Sequence, residues 1–187
     1  TNTYLLGERD IVVVDPGPDI SEHVDAIIAA VLERHGHLSR VLVTHAHIDH
    51  LPAAFALRRH TGATILGHPS IPGIDQPLRD GEAVQVGRLR LDVYETPGHA
   101  SDHLCFWYGE ARLLFSGDLV AGAGTVVLDE TPDALVHYLT SLDRMAALGP
   151  MAILPGHGPV VPDGGAKLFE YLEHRAQRDR QIVCLLY

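Results

Sequence analysis

Residues 43–50, VTHAHIDH, hold four side chains that bind metal ions well: His45, His47, Asp49 and His50. His45 and His47 are two positions apart, so in an extended segment both point to one side and can share one ion. Asp49 and His50 are adjacent and project in different directions, which suits a second ion better. Because a catalytic zinc ion takes three protein ligands and a water, this segment supplies only parts of two coordination shells.

Three other motifs offer the missing ligands, each after a predicted strand and beside a glycine that lets the backbone come close. They are TPGH with His99, SGD with Asp118, and PGHG with His157. The sequence therefore predicts two neighbouring sites with a bridging carboxylate. One site comprises His45, His47 and His99, the other comprises Asp49, His50 and His157, and the bridge is Asp118.

Imidazole and carboxylate donors suit zinc, and they also accept iron or manganese. We predict two divalent ions, with zinc as the first choice. Such ions would lower the pKa of a shared water from about 15.7 towards about 7 and supply a hydroxide nucleophile. Asp49 is predicted to be catalytic as well as a ligand, by accepting a hydrogen bond from that hydroxide. Asp15 and His103 either orient the ligand imidazoles or have plain turn or surface roles.

The elements around the first motif are predicted to be two strands, a helix, a strand and a helix. The strands TYLLG and IVVVD precede an amphipathic helix that starts at Ser21, its expected N-cap, and stops at Gly36. The apolar strand RVLVT then leads into the histidine motif, and LPAAFALRRHTG continues as a helix.

The remaining sequence predicts a run of strands from residue 63 to 118, a helix over 132–149, a strand in MAILPGHG and a last helix over 164–183. Two sheets face to face, with helices on the outer faces, would bury all the apolar stripes at once. We therefore predict an α/β fold of four layers, in one domain over residues 1–187.

Composition limits the functions that this domain can have. With 187 residues and 46% hydrophobic residues, it can form a sizeable core, and its formal charge of -10 argues against extensive nucleic-acid binding. Cys105 and Cys184 have no metal-binding spacing, and Cys105 is predicted to be a core residue. No apolar stretch of about 18 residues and no signal sequence are visible, so we predict a cytoplasmic protein without a membrane partner. The sequence does not indicate the substrate or the oligomeric state.

The HxHxDH motif, the TPGH histidine, the SGD aspartate and the PGHG histidine resemble, in content and order, those of the metallo-beta-lactamase-fold hydrolases, which include glyoxalase II. TNTYLLG, SGDLVAGAGTVV and PGHGPVV are most similar to the branch that contains beta-lactamase-like protein 2. The resemblance implies an αβ/βα sandwich with the metals at its edge. It also implies that relatives continue into a winged-helix-like domain, which this chain is expected to lack. Pro52 and Ala53 replace the usual glycines after the motif, which is expected to stiffen or reshape the helix start.

The same resemblance leaves the reaction open. The branch includes an endoribonuclease, which implies cleavage of a phosphodiester in single-stranded RNA, with RNA bound through regions absent from this chain. The wider family implies hydrolysis of a thioester or ester instead. A third alternative is oxidation of a persulfide at a single iron, although the presence of Asp49, His50 and His157 favours two ions. The arginines of the last helix, such as Arg175, are predicted to form a solvated face rather than an RNA-binding patch.

Overall fold

The computed structural model describes residues 1–186, apart from the side chains at positions 179, 182, 183, 185 and 186. In this part of the chain there are four helices: α1 (Ser21–Glu33), α2 (Pro52–Thr61), α3 (Ala134–Leu148) and α4 (Gly164–Leu186). There are also ten strands: β1 (Tyr4–Leu6), β2 (Asp10–Val14), β3 (His37–Leu42), β4 (Thr64–Gly67), β5 (Gln76–Pro77), β6 (Ala83–Val86), β7 (Leu89–Glu95), β8 (Leu104–Tyr108), β9 (Leu113–Gly117) and β10 (Ala152–Pro155).

The strands form two sheets of five, which confirms the predicted pair of sheets. The first has the order β1-β2-β3-β4-β5 and is parallel except for β1. The second has the order β10-β9-β8-β7-β6, with a parallel β9–β10 pair and antiparallel neighbours elsewhere. The strand run predicted from residue 63 onwards thus divides between the sheets, with β4 and β5 in the first.

Side-chain alternation along β2 shows how four layers arise from the sequence. Ile11 and Val13 pack with Val24 and Ile27 of α1 in one buried cluster. Because neighbours in a strand point to opposite faces, Val12 and Val14 enter a different cluster, shared with strands of the second sheet. A third cluster joins the second sheet to α3 and α4. The architecture is therefore the αβ/βα sandwich that the sequence predicted.

Several local predictions differ from the structure. Ser21 is the first helical residue of α1 rather than its cap; Ile20 occupies the N-cap position, and no side chain bonds to the helix end there. The left-handed residue after α1 is His35 (φ 52°), not Gly36. The two-residue strand β5 had no periodic signal because it is too short to show one. The last helix runs to Leu186, beyond the predicted residue 183, and Tyr187 lies outside the described residues.

The start of α2 shows how the chain accommodates the residues that replace the usual glycines. Pro52 is the first helical residue, a position where its missing N–H costs no hydrogen bond. Ala53 is fully buried, and its amide donates to the carbonyl oxygen of Gly17 at 3.0 Å. The two residues therefore fit a regular helix start.

The helices of residues 1–186 include none that combines the length and the apolar character needed to cross a membrane.

The two cysteines have contrasting environments, which generates a first prediction. Cys105 is fully buried on β8, as predicted, and burial raises the pKa of its thiol to about 12, whereas Cys184 is exposed. The thiolate is the reactive species, so at pH 8 only Cys184 should react with Ellman's reagent in the native protein. Both thiols should react in denaturant, and Cys184→Ser should abolish the native signal. Rapid reaction of two thiols in native protein would contradict this burial.

Candidate metal centre

The predicted ligands meet at one edge of the sandwich because their strands end there. The parallel neighbours β2 and β3 end side by side, Val14 opposite Leu42, and the histidine motif follows β3. The parallel neighbours β9 and β10 end with Gly117 opposite Pro155, immediately before the SGD aspartate and the PGHG histidine. Carboxyl ends of parallel strands share one edge of a sheet, so loops from both sheets converge there.

The first predicted ligand group is assembled in the structure. The Nδ1 atom of His47 lies 2.9 Å from Nε2 of His45 and 3.0 Å from Nε2 of His99. His45 is fully buried at the base of the site, whereas His47 is exposed at its mouth. The three ligand atoms lie within 4.8 Å of one another, which is the arrangement predicted for one ion.

The second predicted ligand group lies beside the first. Nε2 of His157 is 3.0 Å from Oδ2 of Asp49 and 3.4 Å from Nε2 of the buried His50. These three atoms also lie within 4.8 Å of one another. The structure thus brings together the second set of residues that the sequence singled out.

Asp118 lies between the two groups, as expected of a bridging carboxylate. Its Oδ2 atom is 3.4 Å from Nε2 of His99 in the first group and 3.4 Å from Nε2 of His157 in the second. Its Oδ1 atom is buried and has no hydrogen-bond partner among the described residues, since Nε2 of His50 is 3.5 Å away. A buried carboxylate oxygen without a partner is a place where a cation fits.

The carboxylate of Asp15 fixes the orientation of two of these histidines. It is buried and accepts hydrogen bonds from Nδ1 of His50 at 2.9 Å and from both the amide and the hydroxyl of Thr44 at 2.8 Å. Because the Thr44 hydroxyl donates to Asp15, its oxygen accepts from Nδ1 of His45, 2.9 Å away. Both rings therefore carry a proton on Nδ1 and turn Nε2 towards the site.

The orientation of His99 depends on the loop after Asp118. Its Nδ1 donates to the carbonyl oxygen of Val127 at 2.6 Å, so its Nε2 also faces the site. Helix α4 holds this loop: Arg175 donates to the carbonyl of Val126 at 3.0 Å, and the Tyr171 hydroxyl accepts from the amide of Ala121 at 3.2 Å. Arg175 also lies over the ring of Tyr138. Arg175 is half-buried against the fold and so is not part of the predicted solvated face, whereas Arg178 and Arg180 are exposed, as predicted.

His103 contacts the site in a different way from the one predicted. Its Nε2 accepts from the backbone amide of Asp118 at 3.0 Å, and its Nδ1 is 2.8 Å from the hydroxyl of Thr96. Full burial lowers the pKa of His103 to about 3, so the ring stays neutral and can accept. His103 therefore positions the backbone of the bridging carboxylate rather than a ligand imidazole.

The charges of the site also favour a cation. Burial lowers the pKa of His45 and that of His99, so both imidazoles are neutral near pH 7. Burial alone would also lower the pKa of His50, but the carboxylates of Asp118 and Asp15 outweigh it and raise that pKa to about 10. Burial would raise the pKa of Asp118, but His50 outweighs it and lowers that pKa to about 2. Without a metal ion, His50 thus carries the positive charge that offsets Asp118, and a cation bound at its Nε2 would take the place of that proton.

Two glycines allow the strand ends to approach closely. A Cβ atom on Gly156 would lie 2.5 Å from Oδ1 of Asp118 and 2.8 Å from Cε1 of His50. Gly117 has φ of 46°, and a Cβ atom there would lie 2.7 Å from Nε2 of His103. A side chain at Gly156 would displace two predicted ligands, and one at Gly117 would displace His103, which bonds to the backbone of Asp118. The close approaches explain the glycines in these two motifs.

The seven predicted ligands fit a pair of divalent ions. Two ligands of a tetrahedral zinc ion lie roughly 3.3 Å apart, given metal–nitrogen distances of about 2.0–2.1 Å. The distances given above between ligand atoms of these seven residues range from 2.9 to 3.5 Å. Nε2 of His45 and of His99 are both unprotonated and face the same nitrogen of His47, which could donate a proton to only one of them. A shared cation is the simplest partner for facing lone pairs.

Sequence reasoning missed the residues that act through hydrogen bonds. Thr44 could have been suspected, because it directly precedes His45. However, its hydroxyl donates to Asp15 and accepts from His45, and this pair of bonds depends on where the fold places Asp15. The carbonyl of Val127 and the hydroxyl of Thr96 had none, because any residue offers a carbonyl and hydroxyls are common in loops.

Comparison with known proteins shows the family to which this chain is similar. Residues 1–157 match the sequence profile of the metallo-beta-lactamase superfamily. A beta-lactamase-like protein 2 homolog from Caenorhabditis elegans is 35% identical over 200 residues, which cover 100% of this chain and 65% of the relative. An atrochrysone carboxyl ACP thioesterase from Aspergillus chevalieri is 34% identical over 190 residues, covering 100% and 60%. The chain spans less than two thirds of these relatives.

Solved structures show the same similarity. A metallo-beta-lactamase family protein from Thermus thermophilus superposes with a TM-score of 0.86 at 25% identity, covering 99% of this chain and 77% of the other. ETHE1 from Myxococcus xanthus superposes with a TM-score of 0.75 at 32% identity, covering 84% of this chain and 70% of the other. TTHA1623, solved in a di-iron-bound form, superposes with a TM-score of 0.70 at 27% identity, covering 88% of this chain and 90% of the other.

Metal stoichiometry tests the two ligand groups. After incubation with zinc and gel filtration, we expect plasma mass spectrometry to find two ions per chain in the unmodified protein and about one in His47→Ala, which lacks a ligand of the first group. His60→Ala, on the exposed face of α2, is the matched control and should keep two. Retention of two ions by His47→Ala would contradict the assignment.

Asp15→Asn tests the hydrogen bonds that orient His50. Asn adopts the left-handed conformation of Asp15 (φ 48°) readily, so the backbone is spared. The NH2 group of the Asn side chain would donate to Nδ1 of His50. The proton of the neutral ring would then be on Nε2, the nitrogen that faces the metal position. We expect about 10- to 100-fold weaker binding of the second ion in a competition titration with a chromophoric chelator.

The matched control for Asp15→Asn is Asp25→Asn, an identical charge change on the exposed face of α1. It should leave both affinities unchanged. Equal metal affinity of Asp15→Asn and Asp25→Asn would show that Asp15 does not orient the ligand.

Proposed function

This chain belongs to the metallo-beta-lactamase superfamily, and we propose that it is a metal-dependent hydrolase of thioesters or esters that uses two divalent ions. The observation that carries the proposal is the convergence of two ligand groups on Asp118, whose Oδ2 atom is 3.4 Å from a histidine of each group. A carboxylate in that position suits two adjacent ions. Zinc is the first choice of metal, and the di-iron form of TTHA1623 supports iron as the other.

When bound, the two ions would supply a deprotonated water and a positive charge for the oxygen of the substrate. His45, His47 and His99 would hold one ion, and Asp49, His50 and His157 the other. We propose that Asp49 also orients the water, because its carboxylate is at the mouth of the site and 40% of its side chain is exposed. Asp15, Thr44 and the carbonyl of Val127 keep the imidazole protons away from the metal positions.

Two observations support an acyl substrate over the phosphodiester alternative. The Aspergillus chevalieri relative is named as a thioesterase, and the formal charge of -10 opposes binding of a polyanion. RNA cleavage is the competing proposal, to be measured with the same protein.

The test is turnover by the metal-replete full chain. We expect the protein to hydrolyse the hexanoyl thioester of N-acetylcysteamine, measured by the release of free thiol. The rate should exceed that of cleavage of labelled single-stranded RNA. Asp118→Asn should lower kcat/KM by about 100-fold, since a neutral amide with one oxygen cannot replace the bridging carboxylate. His60→Ala should retain full activity.

Three outcomes would contradict this function. Cleavage of RNA without hydrolysis of acyl substrates would favour the phosphodiesterase alternative. One iron per chain, with oxygen consumption in the presence of glutathione persulfide, would favour the oxidoreductase alternative. Full activity of Asp118→Asn would exclude the proposed centre as the place of reaction.

A further inference from the structure

An open cleft of about 650 Å³ adjoins the candidate metal centre. Its inner wall includes His47 and His99, two predicted ligands of the first ion. A substrate whose reacting carbon is held at that ion can place the rest of its chain in this cleft. The residues that line the cleft therefore act on whatever part of the substrate lies beyond the reacting bond.

Apart from the two histidines, every titratable side chain that lines this cleft is acidic. Asp102, Asp129 and Glu130 line it, and no Lys or Arg does so among the described residues. The remaining lining residues are small or apolar, and they include Leu128 and Val127, a residue that is 78% exposed. The cleft thus presents negative charge and apolar surface beside the metal positions.

Hydrogen bonds fix two of these acidic residues relative to the ligands. Oδ2 of Asp102 accepts from the amide of Ala46, between the first two histidines, at 3.1 Å. The amide of Asp129 donates at 2.9 Å to the carbonyl of Gly98, which directly precedes His99. The segments that carry these negative charges are therefore hydrogen-bonded to the metal-binding motifs. These bonds keep the charges close to a substrate bound at the centre.

We propose that this cleft selects acyl chains that carry no negative charge, with Asp102, Asp129 and Glu130 as the residues that determine this specificity. The inference rests on the proposed hydrolase function, because it concerns the substrate of the same centre. A carboxylate or phosphate on the acyl chain would meet like charges without a cation to offset them. Neutral apolar chains contact Val127 and Leu128, and cationic chains gain attraction.

The test uses three thioesters of N-acetylcysteamine of matched length. Hexanoyl is neutral, hexanedioyl carries a terminal carboxylate, and 6-(trimethylammonio)hexanoyl carries a terminal cation that cannot attack the thioester. We expect kcat/KM for the anionic probe to be about fivefold or more below that for the neutral probe, with the cationic probe at least equal to the neutral one. Raising the ionic strength from 0.01 M to 0.1 M shortens the screening length from about 30 Å to about 10 Å and should reduce the difference.

Asp129→Asn combined with Glu130→Gln removes two charges without touching a predicted ligand. The backbone amide at position 130 donates a hydrogen bond to Oδ1 of Asp129 at 2.8 Å. Asn is chosen for position 129 because its side-chain oxygen can still accept this bond. We expect this double variant to raise the ratio of kcat/KM for the anionic probe to that for the neutral probe about fivefold. Glu33→Gln combined with Asp143→Asn, on exposed faces of α1 and α3, makes the same change of net charge away from the cleft and should not alter that ratio.

The outcomes separate the two proposals. Hydrolysis of all three probes at equal kcat/KM, or an equal effect of both double variants, would overturn the charge selection and leave the hydrolase function standing. Hydrolysis of none of them by metal-replete protein would overturn both. A loss of metal from the cleft variant would show that its acidic residues act on the centre rather than on the substrate.

Discussion

The arrangement at this edge of the fold depends on one buried carboxylate, that of Asp15. It follows β2, and it binds the amide and hydroxyl of Thr44 and the ring of His50 on the segment after β3. Burying a carboxylate is costly unless it is hydrogen-bonded, and here both oxygens are used. The left-handed backbone at Asp15 (φ 48°) costs roughly 1–2 kcal/mol, and these bonds offset it. The metal-facing nitrogens of His45 and His50 are set by this one group.

The seven candidate ligands could be found from the sequence because each lies in a short motif directly after a strand. The apolar stripes of the helices and strands also predicted two sheets between outer helices, and in the structure Ile11 and Val12 enter different clusters. The histidine tautomers could not be predicted, because they depend on hydrogen bonds between residues far apart in the chain. His99 and Val127 are 28 positions apart, and Asp15 and His50 are 35 apart. The short strand β5 and the left-handed residue His35 after α1 depend on local backbone conformation that residue types do not specify.

His103 shows the limit of motif reasoning most clearly. The sequence left open whether it orients a ligand ring or has a plain turn or surface role. It lies before β8, next to β9, and there it meets the amide of Asp118. From His103 a buried chain of hydrogen bonds continues through Thr96 to Cys105. A neutral ring suits this chain, since a charged one would have no carboxylate partner within it. The neutral imidazole thus fixes the backbone of the residue that joins the two ligand groups.

Helix α4 has a part in the metal centre although it lies outside residues 1–157, which match the family profile. Tyr171 and Arg175 bind the backbone of the segment that follows Asp118, and the next carbonyl along, that of Val127, holds the ring of His99. A surface segment of this kind, rich in glycine, would otherwise sample many conformations. By restricting it, α4 lowers the entropy that must be lost when His99 takes up its metal-facing orientation. The same segment carries Val127 to Glu130 into the cleft, so the helix fixes both the ligand and the surface proposed to read the substrate's charge.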